Sequence, residues 1–202
     1  MKIVVIGATG TIGKAVATLL KEKGHEVIEA SRSSQPSIDF TNASSIDQFY
    51  EKIGEIDAIV TTAGDAAFVA LDGLTEEQIQ LSLNSKLMGQ INTVRKGLKY
   101  LRANGVAVIT GGMLAYSPWP KTSMITMVNA GLEGFVKGAA LDMTNGHRVV
   151  IVHPPWVAET AQKLGMDATP WPKAAKVAEA YLDAIEGTQN GAPVFVEGYL
   201  PA

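Results

Sequence analysis

Short runs of branched apolar residues alternate along this chain with segments whose apolar positions recur at helical spacing. The runs "KIVVIGA" (2–8), "EVIEAS" (26–31), "SIDF" (37–40), "DAIVTTAG" (57–64), "VAVITGG" (106–112), "RVVIVHPP" (148–155) and "APVFVEG" (192–198) predict strands. Between them, "KAVATLLKEKG" (14–24), "SSIDQFYEKIG" (44–54) and "AAKVAEAYLDAIEG" (174–187) predict amphipathic helices, and two longer ones flank "VAVITGG", over 81–101 and 125–143. Strands written almost wholly in Val, Ile and Ala are buried on both faces. Helices between such strands make right-handed crossovers, so the sheet is expected to be parallel and covered on both sides. The fold class is α/β, a Rossmann-type doubly wound parallel sheet in a single domain, 1–202. Two segments break the rhythm, "MLAYSPWPKTS" (113–123) and "PPWVAETAQKLGMDATPWP" (154–172). Both follow strands, at the carboxyl edge where open α/β sheets take ligands.

Composition narrows the partners. With 202 residues and 47% hydrophobic content the chain can bury one substantial core but hardly two. A net charge of −3, with scattered Lys and Arg, offers no electrostatic footprint for nucleic acid or an anionic membrane. The absence of cysteine removes thiol chemistry and disulfides, and the 3 histidines stand apart, so no metal site is expected. No apolar run reaches the length of a membrane span and "IVVIGATGTIG" reads as strand and turn, which makes the cytoplasm the default expectation.

"GATGTIG" carries the first chemistry. Gly7, Gly10 and Gly13 lie directly between a predicted strand and a predicted helix, the context that makes a glycine pattern a dinucleotide cradle. Thr9, Thr11 and Ile12 belong to the same turn, whose backbone N–H groups would meet a pyrophosphate at the helix N-terminus. An NAD-preferring site places Asp or Glu at the tip of the next strand, whereas this chain has Ser31 and Arg32, with Glu29 nearby. A hydroxyl and a guanidinium suit a 2′-phosphate, so the expected cofactor is NADP(H).

From these residues onward the chain resembles the short-chain dehydrogenase/reductase family almost end to end. Asp39 in "IDF", with Phe40 beside it, resembles the family's adenine-contacting position, and "TTAG" resembles its Asn-Asn-Ala-Gly signature after the fourth strand, implying cofactor contacts from Thr62, Ala63 and Gly64. Asn84 in "LSLNSKLMGQ" resembles the helix asparagine of the family's proton relay. "NAGLEGFVKGAALDM" resembles the helix that follows the family's Tyr-x-x-x-Lys motif. "VHPPWVAET" resembles its Pro-Gly segment, with Pro155 in place of the glycine, which implies that Pro154, Trp156 and Val157 lie at the nicotinamide.

The departures concern proton transfer. That resemblance puts Ile125 at the family's tyrosine, Asn129 at its lysine, and Gly111 or Gly112 at its serine. Neither Ile125 nor Asn129 transfers a proton near neutral pH, although Asn129 can still hydrogen-bond a ribose hydroxyl. The pattern is similar to a subgroup of the family, of undetermined function, that keeps the glycine motif and lacks the usual active-site residues. Tyr116 and Lys121, on the loop after "VAVITGG", are the candidate replacements, because an ammonium beside a phenol lowers its pKa. Asn84 joins them as a candidate catalytic position. His153 is a further candidate acid, set against a neutral structural role. Trp119 and Trp156 are candidate walls of a substrate pocket.

Two readings lead at this point, and a third, an NADP-assisted isomerase or lyase that needs no net redox, stays open beside them. One is an NADP(H)-dependent oxidoreductase acting on a small carbonyl or alcohol with a non-standard acid. The other is a non-catalytic NADP(H)-binding sensor or regulatory module. The resemblance further implies a homodimer or homotetramer built on the helices at 81–101 and 125–143, where Ala130, Gly131, Gly134, Gly138 and Ala139 permit close approach.

Overall fold

In the computed structural model, residues 1–201 are described. Six strands among them form one all-parallel sheet: β1 (Lys2–Ile6), β2 (Glu26–Ala30), β3 (Ile56–Thr61), β4 (Leu101–Thr110), β5 (Arg148–His153) and β6 (Pro193–Phe195), in the order β2-β1-β3-β4-β5-β6. The helices are α1 (Thr11–Glu22), α2 (Ala43–Ile53), α3 (Glu76–Leu81), α4 (Gln90–Gly97), α5 (Ser123–Ala139), α6 (Ala158–Lys163) and α7 (Ala174–Glu186). Between α3 and α4 the helix widens into π turns over Ser82–Gly89. No helix among the described residues is long and apolar enough to cross a membrane.

Alternation along each strand builds two core layers. Ile3, Val5, Val60, Val108 and Val152 face α1 and α7, burying Val16, Leu20, Val177 and Tyr181. Their neighbours Val4, Ile6, Ile59, Ile109 and Ile151 face α2, α4 and α5, burying Phe49, Tyr50, Val94 and Leu132. Both layers carry a buried tyrosine whose hydroxyl is partnered, as a buried polar group requires. Tyr50 donates to the Thr93 carbonyl at 2.8 Å. Thr110 donates to the Thr61 carbonyl, so the Tyr181 hydroxyl donates in turn to Thr110 Oγ1 at 2.7 Å.

The sheet reverses its winding at β1, which pairs with β2 on one side and β3 on the other. The helix-entering loops diverge there and leave a crevice beyond the carboxyl ends of β1 and β3. One expected strand is missing. In "SIDF" only Ser37 bridges, to Ser31, because the chain turns at once into the cap of α2, where Asn42 Oδ1 accepts from the N–H groups of Ser44 and Ser45. "TTAG" therefore follows the third strand of this sheet, not the fourth. The second irregular segment also contains more order than its sequence suggests, since α6 forms inside it.

Candidate functional site

The glycine turn closes on itself beneath the crevice. Gly7 adopts φ +91°, and a side chain there would strike Thr62 and Ala63 at 2.8 Å. Gly13 packs its backbone against Gly7, so that a Cβ would lie 2.2 Å from the Gly7 carbonyl oxygen and 2.5 Å from Thr62 Oγ1. The amide of Gly10 returns to the Gly7 carbonyl at 2.9 Å, and α1 starts from Gly10 with no side-chain cap. Its first-turn N–H groups are left for a ligand.

Two hollows open from this turn. The first, about 530 Å³, is lined by Gly7, Thr9, Gly10, Ser31, Arg32, Ser33, Ile38, Phe40, Thr62, Ala63, Gly64 and Asp65. Glu29 is not part of its lining, because its carboxylate is held by Lys21. Asp39 is absent from it as well, contrary to expectation: its Oδ1 is taken by the Thr41 N–H and hydroxyl at 3.0 and 2.7 Å in a local turn. Thr11 stands beside the turn and accepts a hydrogen bond from Lys163 at 3.3 Å.

The second hollow, about 490 Å³, meets the first at Thr62 and Gly64 and runs over the ends of β4 and β5. Ile12, Asn129, Pro154, Trp156 and Val157 line it, together with Gly111, Gly112 and Ile125. Trp119, Trp156 and Trp171 form its outer wall, with Trp119 and Trp156 parallel at 6.0 Å and Phe68 edge-on to Trp156 at 5.9 Å. Asn129 is buried, and its Oδ1 has no hydrogen-bond partner among the described residues. An orphaned buried acceptor facing a cavity is a place for a ligand hydroxyl. The residues present therefore fit a dinucleotide, with the pyrophosphate at the glycine turn and a ribose hydroxyl at Asn129.

The three expected proton-transfer residues lie elsewhere. Asn84 is exposed, with its amide 3.5 Å from Gln80 on the outer face of the helix. Tyr116 turns its hydroxyl to Glu133 on α5 and packs its ring on His153 and Phe195, outside the second hollow. Burial and the Glu133 carboxylate raise the pKa of that phenol, opposite to the lowering expected from Lys121. Lys121 is exposed on the loop, at φ +71°. His153 is buried behind the glycine pair, with Nδ1 3.1 Å from Gly112 and Nε2 3.3 Å from Glu133, near its charge but not aligned as a hydrogen bond. Burial holds its pKa below the ordinary value, so it is a neutral ring that supports Gly112.

These neighbours explain why residues 111 and 112 are glycines. A Cβ on Gly111 would meet the His153 ring at 2.6 Å, and one on Gly112 would meet Asn129 Nδ2 at 2.8 Å.

Sequence reasoning missed Lys86. Its side chain enters the second hollow, where Nζ donates to the Gly111 carbonyl oxygen at 3.2 Å. Burial lowers its pKa from 10.5 to about 8, against a smaller opposing effect of Asp65. The signal was in the helix periodicity: Ser82, Ser85, Lys86, Gly89, Gln90 and Thr93 recur on one face, and all are buried. Asn84 falls on the other face.

Comparison with known proteins decides the family. The model of a family described as Enoyl-(Acyl carrier protein) reductase matches residues 37–182. The chain belongs to the short-chain dehydrogenase/reductase family. Within the family, the 3-ketodihydrosphingosine reductase of Bacteroides thetaiotaomicron is 29% identical over 170 residues, covering 75% of this chain and 62% of that protein. The crystal structure of the protein lin1944 from Listeria innocua is similar at 38% identity and TM-score 0.90, over 97% of this chain and 99% of that one. A small-chain dehydrogenase solved in complex with NADPH is similar at 26% identity and TM-score 0.86, over 97% and 96%. These likenesses agree with the parallel sheet.

Proposed function

We propose that this family member is an NADP(H)-dependent oxidoreductase whose substrate, a carbonyl compound or alcohol, sits against the tryptophan wall. The observation that carries the cofactor preference is the rim of the first hollow. At the tip of β2 it presents Ser31, Arg32 and Ser33, while Glu29 is tied to Lys21 and does not reach it. A 2′-phosphate is attracted there, and no carboxylate at that tip selects a bare ribose hydroxyl. The NADPH complex of the similar small-chain dehydrogenase supports the same choice.

The test is a pair of calorimetric titrations. NADPH is expected to bind in the micromolar range or tighter, and NADH clearly more weakly. Absence of binding by either would remove the reading. The second reading, a sensor or regulatory module, is favoured by Ile125 and Asn129 standing where the family's tyrosine and lysine belong. It predicts tight NADPH binding without hydride transfer to any carbonyl.

We also propose self-association through the outer faces of α4, α5 and the π turns. Met88 and Met127 are exposed there, and a Cβ at Gly134 or Gly138 would meet nothing within 4 Å. Packing inside one chain therefore does not demand those glycines, whereas close approach of a second copy does. Sedimentation at micromolar concentration should give a dimer or tetramer. A monomer at every concentration tested would count against the interface.

A further inference from the structure

Lys86 is a feature that cofactor binding leaves unexplained. Lysine is rarely buried unless paired. Here the residue is 7% exposed and, among the described residues, belongs to no ion pair. Its ammonium spends one of three donors on the Gly111 carbonyl, and no other acceptor among the described residues hydrogen-bonds to it.

The surroundings hold this side chain in place. Ser82 and Ser85 accept hydrogen bonds from the N–H groups of Ala67 and Asp65, pinning the π turns to the loop after β3. One turn later the Gln90 amide pairs with both backbone groups of Thr110 at 2.8 Å, locking the helix to the end of β4. Gly64 presses on the stem of Lys86, since a Cβ there would lie 2.9 Å from Lys86 Cα and 3.0 Å from Cδ. The ammonium is thereby fixed at the Gly111 end of the hollow, which Asn129 and Ile125 also line. The charged group that acts on it is Asp65, on the loop after β3, and the titratable ring nearby is His153, behind Gly111, which burial keeps neutral.

We propose that Lys86 is the proton donor of this site, serving flat, apolar carbonyl compounds from the helix before α4 in place of the tyrosine that α5 lacks. The proposal rests on the NADP(H) reading above. NADPH supplies the hydride that reduces the carbonyl carbon and is itself oxidised to NADP⁺. As the carbonyl π pair moves to oxygen, Lys86 Nζ gives that oxygen a proton and completes the alcohol. The N–H bonding pair stays on nitrogen, and the neutral amine recovers a proton from water once product has left. Trp119, Trp156, Trp171 and Phe68 favour a flat apolar body, and the ammonium disfavours a cationic one.

The test uses the full chain and the variants Lys86→Met, Lys86→Arg and Tyr116→Phe, with NADPH and benzaldehyde, para-nitrobenzaldehyde and acetophenone as probes. Lys86→Met should bind NADPH within about threefold of wild type and lose about 100-fold or more in turnover, the scale of a lost general acid. Lys86→Arg keeps the charge but cannot release a proton, so it should be equally slow. Tyr116→Phe should retain its rate within about twofold, because its hydroxyl lies outside the hollow. Wild-type turnover should fall as pH rises through about 8, a decline absent from the residual rate of the methionine variant.

Thermal melts give a readout independent of turnover. Between about 8 and 10.5 the unfolded lysine holds a proton that the folded one has lost, so folding gains stability as pH rises through that window. Lys86→Met should melt above wild type at pH 7, with the gap closing towards pH 10. Undiminished turnover in Lys86→Met, a gap that ignores pH, or NADPH binding with no reduction of any probe by wild type would each overturn the proposal. In the first two cases the NADP(H)-dependent oxidoreductase reading stands, and in the third only NADP(H) binding does, as the sensor reading expects. Failure of NADPH to bind would remove both.

Discussion

Gly13→Ala is expected to abolish measurable NADPH binding and to lower stability by about 3 kcal/mol, the upper part of the range for an overpacked site. The added methyl would have to occupy a point 2.2 Å from the Gly7 carbonyl oxygen and 2.5 Å from Thr62 Oγ1. The first neighbour is backbone in a turn that already requires φ +91° at Gly7, so it cannot swing aside as a flexible side chain would. Relief must come from lifting α1 off β1 and β3, which displaces the helix N-terminus from the crevice. In a domain of this size the loss corresponds to roughly 6–12 °C in melting temperature. Thermal melts and calorimetry on the same preparation check both effects. Unchanged melting with intact NADPH affinity would mean that the turn does not form the cradle described.

Arg32→Glu should weaken NADPH by on the order of 100-fold, the scale of charge-assisted hydrogen bonds lost from a phosphate. NADH, which has no 2′-phosphate, should keep its affinity or gain slightly from a carboxylate placed near the ribose hydroxyls. Arg32 is exposed at the rim of the first hollow, so the fold should be untouched and the melting temperature unchanged in the absence of cofactor. Parallel titrations of the two cofactors read the preference directly. An equal loss for both, or for neither, would place the 2′-phosphate away from this residue and undo the argument for NADP(H).

Together these variants address binding, and Lys86 addresses chemistry. The separation follows from the layout. Gly7, Gly13 and Arg32 serve the hollow beside β1 and β2, while Lys86 serves the one over β4 and β5, and the two meet at Thr62 and Gly64.

What the sequence determined by itself is what local chemistry and periodicity dictate. Pure Val and Ile strands with amphipathic helices between them specify a covered parallel sheet, and the structure has one. The glycine spacing between β1 and α1 specifies a tight turn, because no other residue fits where backbones touch. That neither Ile125 nor Asn129 can transfer a proton near neutral pH is equally a matter of reading.

Tertiary structure decided which side chains reach the cavity, since that depends on partners distant in the chain. "SIDF" had strand-forming residues but formed no strand, because the cap of α2 claimed its backbone direction. Asn84 and Lys86 stand two residues apart on one helix, and packing of Ser82, Ser85 and Gln90 against β4 and the loop after β3 turned the lysine inward and the asparagine out. Tyr116 followed Glu133 on α5 rather than Lys121 on its own loop. Residue 111 is glycine because His153, on another strand, fills the space a side chain would need. Each outcome is set by which groups meet across the sheet, and only the fold brings those groups together.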